Sequence, residues 1–387
     1  MTDGIANHAE QREPGQPPRC TMVGDTPYSC FSVDTGDRLA RQLAWTPRRK
    51  DPRLVGSGYA LIATRHVIVD DAALGAMAEH PDRYFMDAAG RPLIGFASPA
   101  HYTAACSGFA EGGPKLAAIE DGGEGRFVRA LRRRSMPMVI DLRAFPASRA
   151  ERMVFDSTYK GVTDIITGKV WPLPAFHATR LLARIGIGPN IVTFVGILLT
   201  FIAAWRFARA DWAGGLAAAW LMTFLDTVDG KLARTTATST WIGGLLDHAN
   251  DMIHPPLWWA CVAIGLIAEP GGEPDRAIWA SLGVIALFYL LGRIAEVRFK
   301  LSFGFNQFLW RPFDSALRQI ISRRNIILLI LTVGAVLNRV DRAFEAAALW
   351  CVITIGLQCI RWIQAELTRA AGRPIEIWLD RRDAETG

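Results

Sequence analysis

Between Leu225 and Asp251 the chain reads LDTVDGKLARTTATSTWIGGLLDHAND, with four aspartates set among apolar residues. Asp226 and Asp229 are spaced i, i+3 and share one helical face. Asp247 and Asp251 are spaced i, i+4 and share another, with Gly243 a further turn back on the same stripe. A carboxylate buried among apolar helices costs several kcal/mol unless something compensates it. If the two segments pack side by side, four negative charges converge and need a cation. Oxygen-only ligands suit the hard divalent ions Mg²⁺ or Mn²⁺, and two such ions can clamp a pyrophosphate. Gly230 leaves room for a ligand to approach the backbone. Arg234 offers a bidentate grip on a phosphate. The chemistry these residues predict is phosphoryl-group transfer from a nucleotide donor.

The elements that must position these residues divide near residue 180. The chain has 387 residues, half of them hydrophobic and only 21% charged, which excludes a disordered acidic protein and is too apolar for an ordinary soluble enzyme. Apolar windows about long enough to cross a bilayer recur after that point. They cover Asn190–Phe207, Trp212–Val228, Ile242–Ala268, Ala277–Ile294, Asn325–Leu337 and Phe344–Ile363, the third long and the fifth short. The basic, amphipathic stretch Leu173–Ile187 suits a helix lying in the membrane surface. The connection 293–324 carries Arg293, Arg298, Lys300, Arg311, Arg318, Arg323 and Arg324, whereas Ala268–Arg276 carries one arginine and three acids. The first side is therefore expected to be cytosolic. With six spans, both termini and the turn at 229–241 share that side.

The expected organisation is a disordered tail (1–20), a small soluble α/β domain (21–160), a linker with the amphipathic helix (161–188), a six-helix membrane domain (189–370) and a cytosolic tail (371–387). In the soluble part, Tyr59–Ala63, His66–Val69, Leu93–Phe96 and Met136–Ile140 read as strands. Asp71–His80 reads as a helix capped by Asp70 or Asp71, and AGRP at 89–92 as a turn between strands. The start of the chain lacks the pattern of a signal or transit peptide. The six cysteines have no metal-ligand spacing and read as reduced packing residues; Cys351 and Cys359 belong to the last span. The net charge of +6 fits anionic headgroups or phosphorylated substrates better than nucleic acid. His248 and His254 are read as packing or interfacial residues, and Trp258-Trp259 as interface anchors or lipid-facing bulk.

The run Asp226-x2-Asp229-Gly230-x2-Ala233-Arg234-x8-Gly243-x3-Asp247-x3-Asp251 resembles the full signature of the CDP-alcohol phosphotransferases, over about 210 residues from Thr163 onward. The resemblance implies that Asp226, Asp229 and Asp247 bind metal, and that Asp251 both ligates metal and deprotonates the acceptor hydroxyl. It further implies that Gly230, Ala233, Arg234 and Gly243 hold the CDP moiety. Pro189-Asn190-x2-Thr193 is similar to the family's nucleotide-contacting segment, which places Asn190 and Thr193 in the site, with Thr240 as a further member. Arg318, Arg323 and Arg324 lie in a basic segment, RPFDSALRQIISRRN, that resembles one in several bacterial members. They are read equally as acceptor-phosphate ligands or as positive-inside anchors.

The front domain, with the join YKGVTDIITGKVWP (159–172), loosely resembles a sugar-phosphate or inositol-phosphate cytidylyltransferase fused ahead of such a membrane domain. Its phosphate loop is missing: VDTGDRLARQLA (33–44) has the single Gly36. The domain is thus expected to be a silent remnant. The whole is expected to be a multi-pass enzyme of a bacterial-type inner membrane with its site facing the cytoplasm. It would move a phospho-alcohol from a CDP-alcohol to a hydroxyl acceptor, a polyol phosphate or a lipid, and release CMP; the resemblance also suggests a homodimer among membrane lipids. Two alternatives remain: a polyol phosphotransferase using a soluble CDP-inositol-type donor, and a non-catalytic scaffold or cation transporter.

Overall fold

The computed structural model describes residues 19–24, 28–45, 59–110, 114–119, 126–128, 132–268 and 276–380, which fall into two compact units. The expected tail 1–20 lies outside the described residues except for Arg19 and Cys20, which already belong to a strand; 381–387 also lie outside.

In chain order the first unit contains β1 (Arg19–Val23), β2 (Ser29–Cys30), β3 (Val33–Asp34), α1 (Thr35–Trp45), β4 (Ala60–Thr64), β5 (Val67–Val69), α2 (Asp71–Glu79), β6 (Arg83–Met86), β7 (Pro92–Ala97), α3 (Tyr102–Phe109) and β8 (Ala117–Ala118). After these come β9 (Arg126–Val128), β10 (Arg133–Ser135), β11 (Val139–Asp141) and α4 (Ala147–Ser157). A mixed five-stranded sheet has the order β1-β4-β7-β6-β8. β4 is buried throughout, the mark of a central strand covered on both faces. Leu61 and Ala63 face a core with Leu39 and Leu43 of α1 and Leu74 and Met77 of α2, while Ile62 faces Tyr84, Ala97 and Ala105. β6 returns on β7 through the 89–92 turn.

Asp70 caps α2 by accepting from the Ala73 amide at 2.8 Å, and the same oxygen accepts from Met138 at 3.1 Å. That second bond takes up the backbone ahead of β11, so the strand expected over Met136–Ile140 begins only at Val139. Gly36 lies in the first turn of α1, its amide bound to Asp34 Oδ1. All six cysteines are free, and burial pushes the Cys30 thiol up to about 12.

The second unit is helical: α5 (Pro172–Arg184), α6 (Pro189–Ala208), α7 (Trp212–Thr235), α8 (Trp241–Ala268), α9 (Arg276–Phe303), α10 (Pro312–Ile320), α11 (Arg324–Val336) and α12 (Val340–Ala370). Every expected span is a helix. Among the described residues, four of them (α6, α8, α9 and α12) are long and apolar enough to cross a membrane, and the bent pair α10 and α11 makes a fifth if taken as one span. α7 is not among these, since its last three turns carry Asp226, Asp229, Lys231 and Arg234. α11, at 13 residues, is too short alone.

α6 shows how the sequence builds this unit. Ile191, Phe194, Val195, Leu198, Phe201, Ile202 and Trp205 form an exposed apolar stripe at helical spacing, the surface a lipid-facing helix presents. Its other face carries the small residues Gly196, Thr200, Ala203 and Ala204, all buried, and α6 packs closely along α8. Gly265 of α8 is the tightest point: a Cβ there would collide with the Phe207 carbonyl oxygen and come within 2.9 Å of the Trp212 ring. Gly265→Ala is expected to cost about 1–3 kcal/mol by overpacking, read as a lower thermal-unfolding midpoint in detergent. Gly283→Ala, where a Cβ meets nothing within 4 Å, should leave that midpoint in place.

Candidate active site

The first structural consequence of the aspartate motif is that three of the carboxylates meet. Asp226 of α7 and Asp247 and Asp251 of α8 each present an oxygen within 4.8 Å of the others. An all-oxygen donor set of this kind suits a hard divalent cation. The expected fourth member, Asp229, lies one turn along α7; it is buried, and its carboxylate accepts from the Thr193 hydroxyl at 2.6 Å and from the Gly230 amide at 2.5 Å. Three of the four carboxylates thus share one point, and a hydroxyl on α6 and a local amide engage the fourth.

Arg324, the first residue of α11, supplies the charge the cluster needs. Its Nη2 donates to Asp226 Oδ2 at 2.7 Å and its Nη1 to Asp251 Oδ1 at 3.1 Å. Asp251 is the open member, with 48% of its side chain accessible against 19% for Asp226.

The other motif residues take up positions around this cluster. Thr240 accepts from the Gly243 amide at 3.1 Å, capping α8, and donates to Asn190 Oδ1 at 3.1 Å. A Cβ on Gly243 would stand 2.6 Å from that same oxygen. Glycine at this point of the signature therefore permits the close approach of α6 to α8. Gly230, Ala233 and Arg234 follow Asp226 within the next two turns of α7.

The three arginines expected as a group part company. Arg324 binds the carboxylates, and Arg323 pairs with Glu296. Arg318 of α10 lies over the Phe308 ring and keeps Nε and Nη1 buried without a hydrogen-bond partner among the described residues. All three line a cavity of about 140 Å³ that opens beside Asp251.

Two features of this cavity were not read from the sequence. Pro255 and Pro256 interrupt the α8 ladder just past Asp251. Pro256 has no N–H to give the Met252 carbonyl, and the Tyr289 hydroxyl donates to that oxygen at 3.3 Å instead. The His-Pro-Pro run inside a span was the available signal. Asp164, from the join before the membrane unit, accepts from Asn325 Nδ2 at 2.9 Å and from the Thr167 amide at 3.0 Å. Burial works to raise its carboxyl, and these donors outweigh burial and hold it below the usual range.

Comparison with known proteins agrees with the motif. The family model for CDP-alcohol phosphatidyltransferase matches residues 187–356, and this segment is a CDP-alcohol phosphatidyltransferase domain. The chain is 37% identical over 81 residues to an archaetidylinositol phosphate synthase of Pyrococcus horikoshii, covering 21% of this chain and 43% of that protein. It is 33% identical over 94 residues to a phosphatidylinositol phosphate synthase of Mycobacterium marinum, covering 22% and 39%. It is 32% identical over 105 residues to cholinephosphotransferase 1 of Danio rerio, covering 26% and 27%. The chain thus spans less than half the length of each of these relatives. Among solved structures, that of Mycobacterium tuberculosis phosphatidylinositol phosphate synthase with CDP-DAG bound matches with a TM-score of 0.39 at 19% identity, covering 48% of this chain and 91% of that one. With its apolar helices and this domain, the chain is an integral membrane protein.

Removing Arg324 should leave three carboxylates facing one another. Arg324→Ala is expected to lower the thermal-unfolding midpoint in EDTA by more than about 2 °C. Added Mn²⁺ should raise the variant's midpoint more than the wild type's; an equal response in both would show that Arg324 and the cation do not answer the same charge.

Proposed function

We propose that the protein transfers a phospho-alcohol group from a CDP-alcohol to a hydroxyl acceptor and releases CMP, in the synthesis of phospholipids or related polar lipids. The observation that carries this reading is the meeting of Asp226, Asp247 and Asp251 inside the matched segment, beside a cavity lined by Arg318, Arg323 and Arg324.

Each residue's part follows from its place. Asp251, the most open carboxylate, faces the cavity and takes the proton from the acceptor hydroxyl as its oxygen attacks the β-phosphorus. The bond from that phosphorus to the bridging oxygen breaks in line, and CMP leaves. Asp226, Asp229, Asp247 and Asp251 would hold two divalent ions, Mg²⁺ or Mn²⁺, which when bound would neutralise the charge that develops on the pyrophosphate. Thr193 orients Asp229, and the Asn190–Thr240–Gly243 contact fixes α6 against α8 at the end where Gly230, Ala233 and Arg234 would hold the CDP moiety. Arg318 and Arg323 would receive a phosphate on the acceptor.

The finer topology belongs to the same proposal. α7 and α11 complete six spans around the site, α5 lies in the membrane surface with Leu173 and Leu181 exposed, and the site faces the cytoplasm of a bacterial-type inner membrane. A homodimer is the proposed assembly. The first unit is a nucleotidyltransferase-like remnant without activity of its own.

CMP release by purified protein in detergent tests the reading, with CDP-diacylglycerol or CDP-inositol offered against polyol-phosphate and lipid acceptors. Asp251→Asn should reduce acceptor-dependent CMP release by about 10²–10⁴-fold, and EDTA should abolish it. Metal-dependent ion transport without CMP release would instead support a transporter.

A further inference from the structure

A second cavity, of about 400 Å³, is built wholly from the helical unit and is not used by the reaction proposed above. Its size falls within the roughly 300–1,000 Å³ of small-molecule sites. It shares only Asp164 with the cavity beside Asp251, and none of Asp226, Asp247, Asp251, Arg323 and Arg324 lines it. Its walls come from the join before α5, from residues 132–133, which belong with the helical unit, from α10 and from the chain after α12.

These walls are held closely together. A Cβ on Gly161 of the join would stand 2.6 Å from Arg133 Cβ and 2.7 Å from the Arg132 carbonyl oxygen. Only glycine lets the two segments approach so far. Arg132 itself has φ +50°, a left-handed conformation that costs a residue with a side chain energy. The chain after α12 is pinned in turn: the Trp378 amide donates to the Leu309 carbonyl at 3.1 Å, and its indole Nε1 to the Ser315 hydroxyl of α10 at 2.9 Å. Ser315 passes its own proton to the Phe308 carbonyl at 2.7 Å, so this hydroxyl serves the wall.

The charge of the lining is one-sided. Arg132, Arg133 and Lys169 stand against the single acid Asp164, whose carboxylate is already engaged by Asn325 and Thr167. Burial first, and the charge of Arg318 second, push the Arg132 guanidinium down to about 10. An anion bound beside it would oppose both effects. A cleft lined by one sign of charge concentrates the opposite ion, and guanidinium and ammonium groups are the usual donors to phosphate oxygens. The frame of the cavity also carries an apolar surface. Val170 and Leu173 follow Lys169 in the chain, and Phe313 and Ile320 flank Ser315 and Gln319 on α10, all four apolar side chains being exposed. Basic side chains beside exposed apolar ones suit the level of lipid headgroups.

We infer that the cavity lined by Arg132, Arg133 and Lys169 is a second phosphate-binding site, separate from the transfer site, for a phosphate group carried by a membrane lipid or by a solute. The exposed apolar frame favours the lipid source. The site stands on its own lining and does not depend on the transferase reading.

Hydrogen-exchange mass spectrometry on the full chain in phosphatidylcholine nanodiscs locates the bound group. Inorganic phosphate tests the solute source, and phosphatidic acid in place of part of the phosphatidylcholine tests the lipid source. Amides of 161–169 and 377–380 should gain protection from one probe or both, beyond that given by sodium chloride at matched ionic strength. Lys169→Glu, at an exposed position, and Arg132→Gln should each raise the amount of probe needed for half-protection by more than about 10-fold. Lys169→Glu decides alone if Arg132→Gln changes the unfolding midpoint without ligand. Arg323→Gln, in the first cavity, should shift that amount by less than about 3-fold. Protection by inorganic phosphate alone assigns a solute, and protection by phosphatidic acid alone assigns a headgroup; each supports the site. No protection of these segments by either probe, or protection that survives Lys169→Glu, overturns it.

Discussion

The structure of the membrane unit depends on how negative charge is neutralised where α7, α8 and α11 meet. A lone carboxylate at the centre of a membrane helix costs roughly 2.5–3.5 kcal/mol. Three left uncompensated would use up much of the 5–15 kcal/mol by which a typical domain is stable. Arg324 bridges two of them across helices from distant parts of the chain, so the ion pairs fix the register of α11 against α7 and α8. A cation would draw on the same oxygens, and the arginine and the metal therefore answer a single electrostatic demand.

Around that centre the helices are brought together by what their sequences omit. Gly243 and Gly265 of α8 let α6 approach at either end, the first beside Asn190 and the second beside the Phe207 carbonyl. Thr200 then crosses the narrow gap to Asn250 of α8, while Thr193 on the same helix reaches Asp229 of α7. A closely packed pair holds the α8 carboxylates at a set distance from α7 without requiring a polar network through the whole bilayer depth.

The elements were legible wherever periodicity or composition dominates. The β4 and β7 strands, the α2 cap at Asp70 and all six apolar helices lie where their patterns put them. The aspartate spacing was legible too, because i, i+3 and i, i+4 relations are local. What was not legible depended on distant partners. Nothing near Asp229 in sequence shows that Thr193 will engage it, and nothing in SRRN distinguishes Arg324, which enters the carboxylate cluster, from Arg323, which turns to Glu296. His254, read as a packing or interfacial residue, is buried against the Trp258 ring with its Nδ1 held by the Asn250 carbonyl.

The brevity of α11 has a consequence for the surrounding lipid. Its 13 residues rise roughly 20 Å, against a hydrocarbon thickness of about 30 Å. If α11 crosses as proposed, so short a span would leave Arg323 and Arg324 below the level at which arginines usually anchor, with the bent α10 running where acyl chains would otherwise continue. In that arrangement headgroups and water would dip toward the carboxylates on this flank, and the proposed aqueous and lipid-anchored substrates would arrive at the same depth.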